Sequence, residues 1–207
     1  MEALQQSLTR VAMDPAYHDL FTVLKACRNG IVYGIKIRFP HALVMTFLFG
    51  RGTTMEKLRF IMTATRQHAW NLGRFAPLYK FLRILMRRLR GGKSGHYDSF
   101  FAGLLAGYTV FGERTAVNEQ IVLYMSSRVI ASFLPRSKVP DNYPPTKPIP
   151  TDSKAFATYA TIAWGMVMYL HEHRRQTIQS GMVSSMDYLY TRAEKWDGLR
   201  NLFWHNQ

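Results

Sequence analysis

The sequence predicts an all-α fold: a multi-span membrane helical domain of about four to five spans packed through glycine stripes, with an N-terminal amphipathic helix. Three observations predict it. Apolar segments recur along the chain at near-spanning length. Small residues stand four apart inside separate apolar segments. The basic excess is confined to one third of the chain, beside and within those segments. Composition alone points elsewhere, since the mean hydropathy is −0.14. Disorder is excluded by a hydrophobic content of 47%, too high for a chain that cannot form a core. A disulfide scaffold is excluded because Cys27 has no second cysteine to pair with.

Residues 1–27 read as an amphipathic segment, with Leu4, Leu8, Val11, Ala12 and then Leu20, Val23, Leu24 at helical spacing around Pro15. The start MEALQQSLTR lacks the basic and apolar regions expected of a signal peptide, and LFWHNQ at the other end is not a retrieval sequence. Residues 28–134 read as the membrane helical core. Its first segment, 29–50, carries Lys36 and Arg38, and its second, 66–86, carries Arg74, Lys80 and Arg83. Segment 99–112 is free of charge, and 118–134 carries Glu119 and Arg128. A lone charge at mid-bilayer costs about 2.5–3.5 kcal/mol on insertion scales. Long basic stems reduce that cost by reaching toward the interface. Residues 135–150, PRSKVPDNYPPTKPIP, hold six of the nine prolines and read as an extended loop. Residues 151–207 hold the last span, Ala155 to His171, and a C-terminal tail.

Four of the segments carry the small-residue spacing. The positions are Gly30 and Gly34, Ala69 and Gly73, Gly103 and Gly107 (shadowed by Ala102 and Ala106), and Ala157, Thr161 and Gly165. Such a stripe lets helix backbones approach closely, which is how helices associate where lipid removes the hydrophobic drive. The same stripe also serves ordinary packing in a soluble helical bundle.

Residues 25–93 contain fifteen basic residues and one acid, Glu56, and so carry the whole net charge of +14. Such a block suggests an anionic partner, either nucleic acid or the headgroups of a membrane surface; the alternative is a solvated basic face with no dedicated ligand. The sharpest part is FLRILMRRLR (81–90), which alternates apolar and basic residues and is closed by Gly91 and Gly92. Arg83, Arg87, Arg88, Arg90 and Lys93 therefore read as an interfacial cluster at phosphate level. A DNA-reading helix would be cationic too. It would not run out of an aromatic segment such as HAWNLGRFAPLYKFL, whose rings suit a membrane boundary. The alternative reading, a soluble basic nucleic-acid-binding helical domain, rests on the charge alone.

Catalytic patterns are weak, and no cofactor, metal site or enzymatic activity is expected. Cys27 lies beside an apolar stretch and reads as an inert thiol. His171-Glu172-His173 lacks the spacing that puts two ligands on one helix face. Gly91-Gly92-Lys93-Ser94 resembles the end of a phosphate-binding loop, but Arg87 stands where its first glycine belongs. Glu113 and Glu119 read as helix-end carboxylates.

The run RNGIVYGIKIRFPHALVMTFLF (28–49) resembles a family of small peroxisomal integral membrane proteins. That family is kin to the channel-forming subunits of the mitochondrial inner-membrane translocases. HAWNLGRFAPLYK (68–80), VFGE (110–113), QIVLYMSSRV (120–129), AWGMVMYLHEHR (163–174) and SSMDYLY (184–190) match in the same order, and the Pro-rich stretch is the main departure. The resemblance implies a multi-pass protein of the peroxisomal membrane, with helices forming a wall around a polar cavity open to lipid. Lys36, Arg38, Arg74 and Arg128 would then face that cavity. It also implies recognition by a soluble import receptor, with the Arg83–Lys93 cluster as the candidate contact. The expected partners are thus the lipid bilayer and that receptor, without nucleic acid, and with a homo-oligomer allowed. With five crossings, 1–28, 83–98 and 136–154 share one side with twelve basic residues against eight opposite, which favours a cytosolic N-terminus.

Overall fold

The computed structural model describes residues 1–203, apart from the side chains of Glu2, Ala3, Leu4, Leu8 and Phe49. Two compact units result, Met1–Ser127 and Arg128–Gln207. Among the described residues the architecture is all-helical, with a single extended bridge between Arg136 and Thr151.

In the first unit, α1 (Glu2–Met13) ends at Asp14, whose side chain accepts the Ala16 N–H. Pro15 opens a short 3₁₀ turn, because its fixed φ suits a helical start. The expected apolar face of the N-terminal segment is only partly described, since the side chains of Leu4 and Leu8 lie outside the described residues. α2 (His18–Phe49) then runs unbroken across residues 27 and 28, so the N-terminal segment and the first span are joined by helix. Pro15–Leu48 is the one stretch among the described residues long and apolar enough to cross a membrane by length and composition. Pro40 lies inside α2, as membrane helices tolerate.

The turn after α2 follows from its residues. Gly52 has φ of 108°, a conformation that penalises any Cβ. Thr53 and Glu56 form a reciprocal capping box, with the Thr53 N–H donating to Glu56 Oε2 at 2.8 Å. That box starts α3 (Thr54–Leu89) twelve residues before the span expected at 66. Lys57 Nζ sits 5.6 Å from the centre of the Phe47 ring and fastens the turn to the end of α2. α3 ends at Gly91 and Gly92, both at positive φ, with the Gly92 N–H donating to the Arg87 carbonyl at 2.9 Å.

α2 and α3 pack as an antiparallel pair whose spacing is set by glycine. A Cβ on Gly34 would stand 2.6 Å from the Ala69 Cα, and one on Gly30 would stand 2.7 Å from the Leu72 carbonyl carbon. A Cβ on Gly73 would meet Ile31 Cγ1 at 2.6 Å. α4 (Asp98–Phe111) packs on α3 through Ala102, Ala106 and Val110, all buried, and Phe75 meets Phe111 at 5.4 Å between ring centres. α5 (Ala116–Ser132) buries Val117 and Asn118 at its start.

Among the described residues the core is made mostly of small and polar side chains, with Ile61 the one large apolar residue fully enclosed. Large apolar residues stand outside: Ile35, Ile37 and Phe39 on α2, Phe100, Leu104 and Tyr108 on α4, Leu123, Met125 and Ile130 on α5. In water, so much exposed apolar surface would drive association. In a bilayer it is the surface that faces lipid, and close-packed small residues hold the helices together.

In the second unit, α6 (Ser153–His173) begins at Asp152, whose side chain accepts the Lys154 and Ala155 N–H groups. The Pro-rich stretch is non-helical, and its base is closed. The Ser137 N–H donates to the Pro150 carbonyl at 2.9 Å, and the Asp152 N–H to the Pro135 carbonyl at 2.9 Å. α7 (Ser180–Met186) leads into a π turn over Asp187–Thr191, and α8 (Leu199–Phe203) follows.

Candidate functional site

A polar seam runs through the first unit where α5 meets α3. The Asn71 side-chain amide donates to Asn118 Oδ1 at 2.5 Å in a buried pair. Asn118 in turn donates to the carbonyls of Glu113, at 2.9 Å, and Val110, at 3.3 Å. One turn away, Gln67 donates to Thr115 Oγ1 at 3.2 Å. Gln67 and Asn71 share a face of α3 because they stand four apart. On the α2 side, Arg38 Nη1 donates to Gln120 Oε1 at 2.9 Å. Arg38 Nε, Thr65 Oγ1 and His68 Nδ1 are buried without a hydrogen-bond partner. Each unpaired buried polar group costs about 1–3 kcal/mol.

At the far end of the α2–α3 pair the basic cluster is largely tied down. Asp19 on α2 receives Arg87 at 2.8 Å and Arg88 at 2.6 Å. Arg90 pairs with Asp98, which is buried at the start of α4. Asp98 lies outside the 99–112 segment. The Gly95 N–H, donating to Asp98 Oδ2 at 2.7 Å, holds its carboxyl below the usual carboxylate range; burial opposes, and the guanidinium groups of Arg90 and Arg83 reinforce. A lowered carboxyl contributes stability that is present above its ordinary value and lost as pH falls through the lowered one. Hydrogen exchange in the 91–97 turn, corrected for its intrinsic rate, should therefore hold steady from neutrality to about pH 4 and rise below it. Asp98→Asn should remove that dependence.

The second unit has its own polar knot. His171 Nε2 lies 3.2 Å from Asp187 Oδ1, and Arg175 and Thr191 also reach Asp187. His173 meets the Tyr169 carbonyl instead. Among the described residues no group of three or more His, Cys, Asp or Glu could hold a metal ion.

The structure brings some of the sequence-selected residues together and leaves others apart. Gly30, Gly34, Ala69 and Gly73 meet at the α2–α3 contact. Gly103 and Gly107 have nothing within 4 Å of where a Cβ would stand; α4 packs instead through Ala102 and Ala106, one position over. Ala157 and Thr161 are exposed on α6, and Gly165 faces open space. Small residues permit close approach but do not compel it, so the spacing predicts a contact only where a partner helix lies on that face. Of the four in-span cations, Arg38 alone joins the seam; Lys36, Arg74 and Arg128 are on exposed faces. Cys27 is half-buried on α2. Glu119 pairs with Arg114 at 3.6 Å, and the Glu113 backbone serves Asn118. The seam residues Gln67, Asn71, Thr115 and Asn118 were not selected from sequence, although two amides four apart in an apolar helix are a readable signal.

Comparison with known proteins bears on this arrangement directly. The family described as Tim17/Tim22/Tim23/Pmp24 matches residues 15–127, which cover the α2–α3 pair, α4 and the seam. Peroxisomal membrane protein 4 of Bos taurus is 40% identical over the whole chain and 95% of its own length. The Homo sapiens protein of the same name is 42% identical over 92% of this chain and 87% of its own. No solved structure matches. The chain is a peroxisomal membrane protein, and with its exposed apolar helices around a glycine-set contact it belongs to the Tim17/Tim22/Tim23/Pmp24 family.

Proposed function

We propose that the chain is a multi-span protein that acts without enzymatic chemistry, in the passage of a polar solute or in membrane organisation. The observation that carries this reading is the seam. Arg38, Thr65 and His68 each present a buried polar atom without a partner inside the protein, on helices whose outer faces suit lipid. A polar solute, stripped of some of its water, could exchange those lost hydrogen bonds for bonds to these groups. Intramembrane ionisable residues that face neighbouring helices mark such paths. Lys36, Arg74 and Arg128 have long stems that let their charges reach the interface.

The experiment is flux into liposomes that hold the purified protein. Arg38→Gln with His68→Leu should cut flux of small hydrophilic solutes at least about tenfold, equivalent to 1.4 kcal/mol. Wild-type flux no greater than that of empty liposomes would overturn the passage role and leave membrane organisation. The nucleic-acid alternative loses support, because Arg87, Arg88 and Arg90 are paired within the chain. Recognition by an import receptor at Arg83 and Lys93 is a second part of the proposal, supported by their position beside the end of α3. Replacing both with Gln should weaken capture of the newly made chain by that receptor.

A further inference from the structure

We propose that the end of the α2–α3 pair holds a binding cleft for a phosphate group, carried by an anionic phospholipid or by a soluble phosphate ester. The cleft has a volume of about 210 Å³, several water volumes at roughly 30 Å³ each. Lys80, Arg83 and Arg87 line one side of it. They stand three and four apart, so their charges share one face of α3. Thr22 from α2 and Ser94 from the turn after α3 add two hydroxyl donors.

Three details favour an anion there. Asp19 also lines the cleft, but its two oxygens are taken by Arg87 and Arg88. Its charge is thereby offset, and Arg87 is held in place. Arg83 is half-buried and donates one bond, at 3.4 Å, to the Tyr79 hydroxyl. A guanidinium has five N–H donors in a planar fork suited to phosphate. Asp98 feels the charge of Arg83, yet it is bonded to Arg90 and the Gly95 N–H. An apolar wall comes from Ile84, and Phe81 and Leu85 are exposed on adjacent turns. That neighbourhood fits acyl chains running away from a phosphate, which favours the lipid as the source.

The test is native mass spectrometry of the full chain, released from mild detergent with phosphatidate or phosphatidylcholine added, with and without excess inorganic phosphate. Phosphatidate should be retained about tenfold more than phosphatidylcholine, and Lys80→Gln with Arg83→Gln should lower its retention about tenfold. Thr22→Ala with Ser94→Ala breaks no ion pair and should lower it roughly threefold, so the proposal stays testable if the first variant fails to fold. Arg51→Gln with Lys57→Gln removes the same charge at the opposite end of the pair and should change nothing. Displacement of phosphatidate by inorganic phosphate would assign the cleft to soluble phosphates, and retention despite it would assign the lipid. Equal retention of both lipids, or retention unchanged in both cleft variants, would overturn the proposal.

Discussion

Replacing Gly34 with leucine is expected to separate α2 from α3 and cost about 1–3 kcal/mol, toward the upper end. The first atom a new Cβ would meet is the Ala69 Cα at 2.6 Å, followed by the Ala69 nitrogen at 3.1 Å. Both belong to the backbone of a regular helix and cannot swing aside as a side-chain tip would. The helices must move apart, and the bonds of the seam move with them. Thermal unfolding in mild detergent, followed by circular dichroism, reads the loss. Gly103→Ala and Gly107→Ala are the matched controls. A Cβ there meets nothing within 4 Å, so each should be neutral or gain up to about 1 kcal/mol from helix propensity. Equal tolerance at Gly34 and Gly103 would show that the α2–α3 contact is not glycine-limited.

Asn118→Leu is expected to have the second largest effect, about 1–3 kcal/mol. It strands the Asn71 amide, buried and bonded to Asn118 at 2.5 Å, and it takes one donor from each of the carbonyls of Val110 and Glu113, the latter keeping the Thr115 N–H. A double-mutant cycle isolates the Asn71–Asn118 bond. Leucine at both 71 and 118 leaves no orphaned amide between the helices, so the double variant should lose less than the sum of the two single ones. Additive losses would mean that the two residues act separately.

These two sites differ in how readable they were. Gly30 with Gly34, and Ala69 with Gly73, carry their spacing in the chain, and the structure sets them against each other. α4 carries two identical stripes, Gly103 with Gly107 and Ala102 with Ala106, offset by one residue. Spacing alone cannot choose between them, because the choice depends on which side α3 lies. The start of α3 was missed, because the apolar segment was read from residue 66 while the Thr53–Glu56 capping box starts the helix in polar sequence well ahead of it. The seam was half legible. Gln67 and Asn71 mark a polar face, but their partners Thr115 and Asn118 are set by a long-range turn that no local pattern encodes. The basic cluster looked like an open patch because Asp19 stands on another helix far away in sequence, and because the return of Asp98 onto Arg90 depends on the turn at 91–97.

α2 and α3 are expected to form a hairpin through the bilayer, with the 50–53 turn on one side and the 90–97 turn on the other. Single cysteines at Arg51→Cys and Ser94→Cys, each in a Cys27→Ser background, test it with a membrane-impermeant maleimide on isolated peroxisomes. On the expectation from the basic-residue distribution that Ser94 faces the cytosol, Ser94→Cys should label in intact organelles and Arg51→Cys only after permeabilisation. Equal labelling of both positions in intact organelles would contradict a membrane-spanning hairpin.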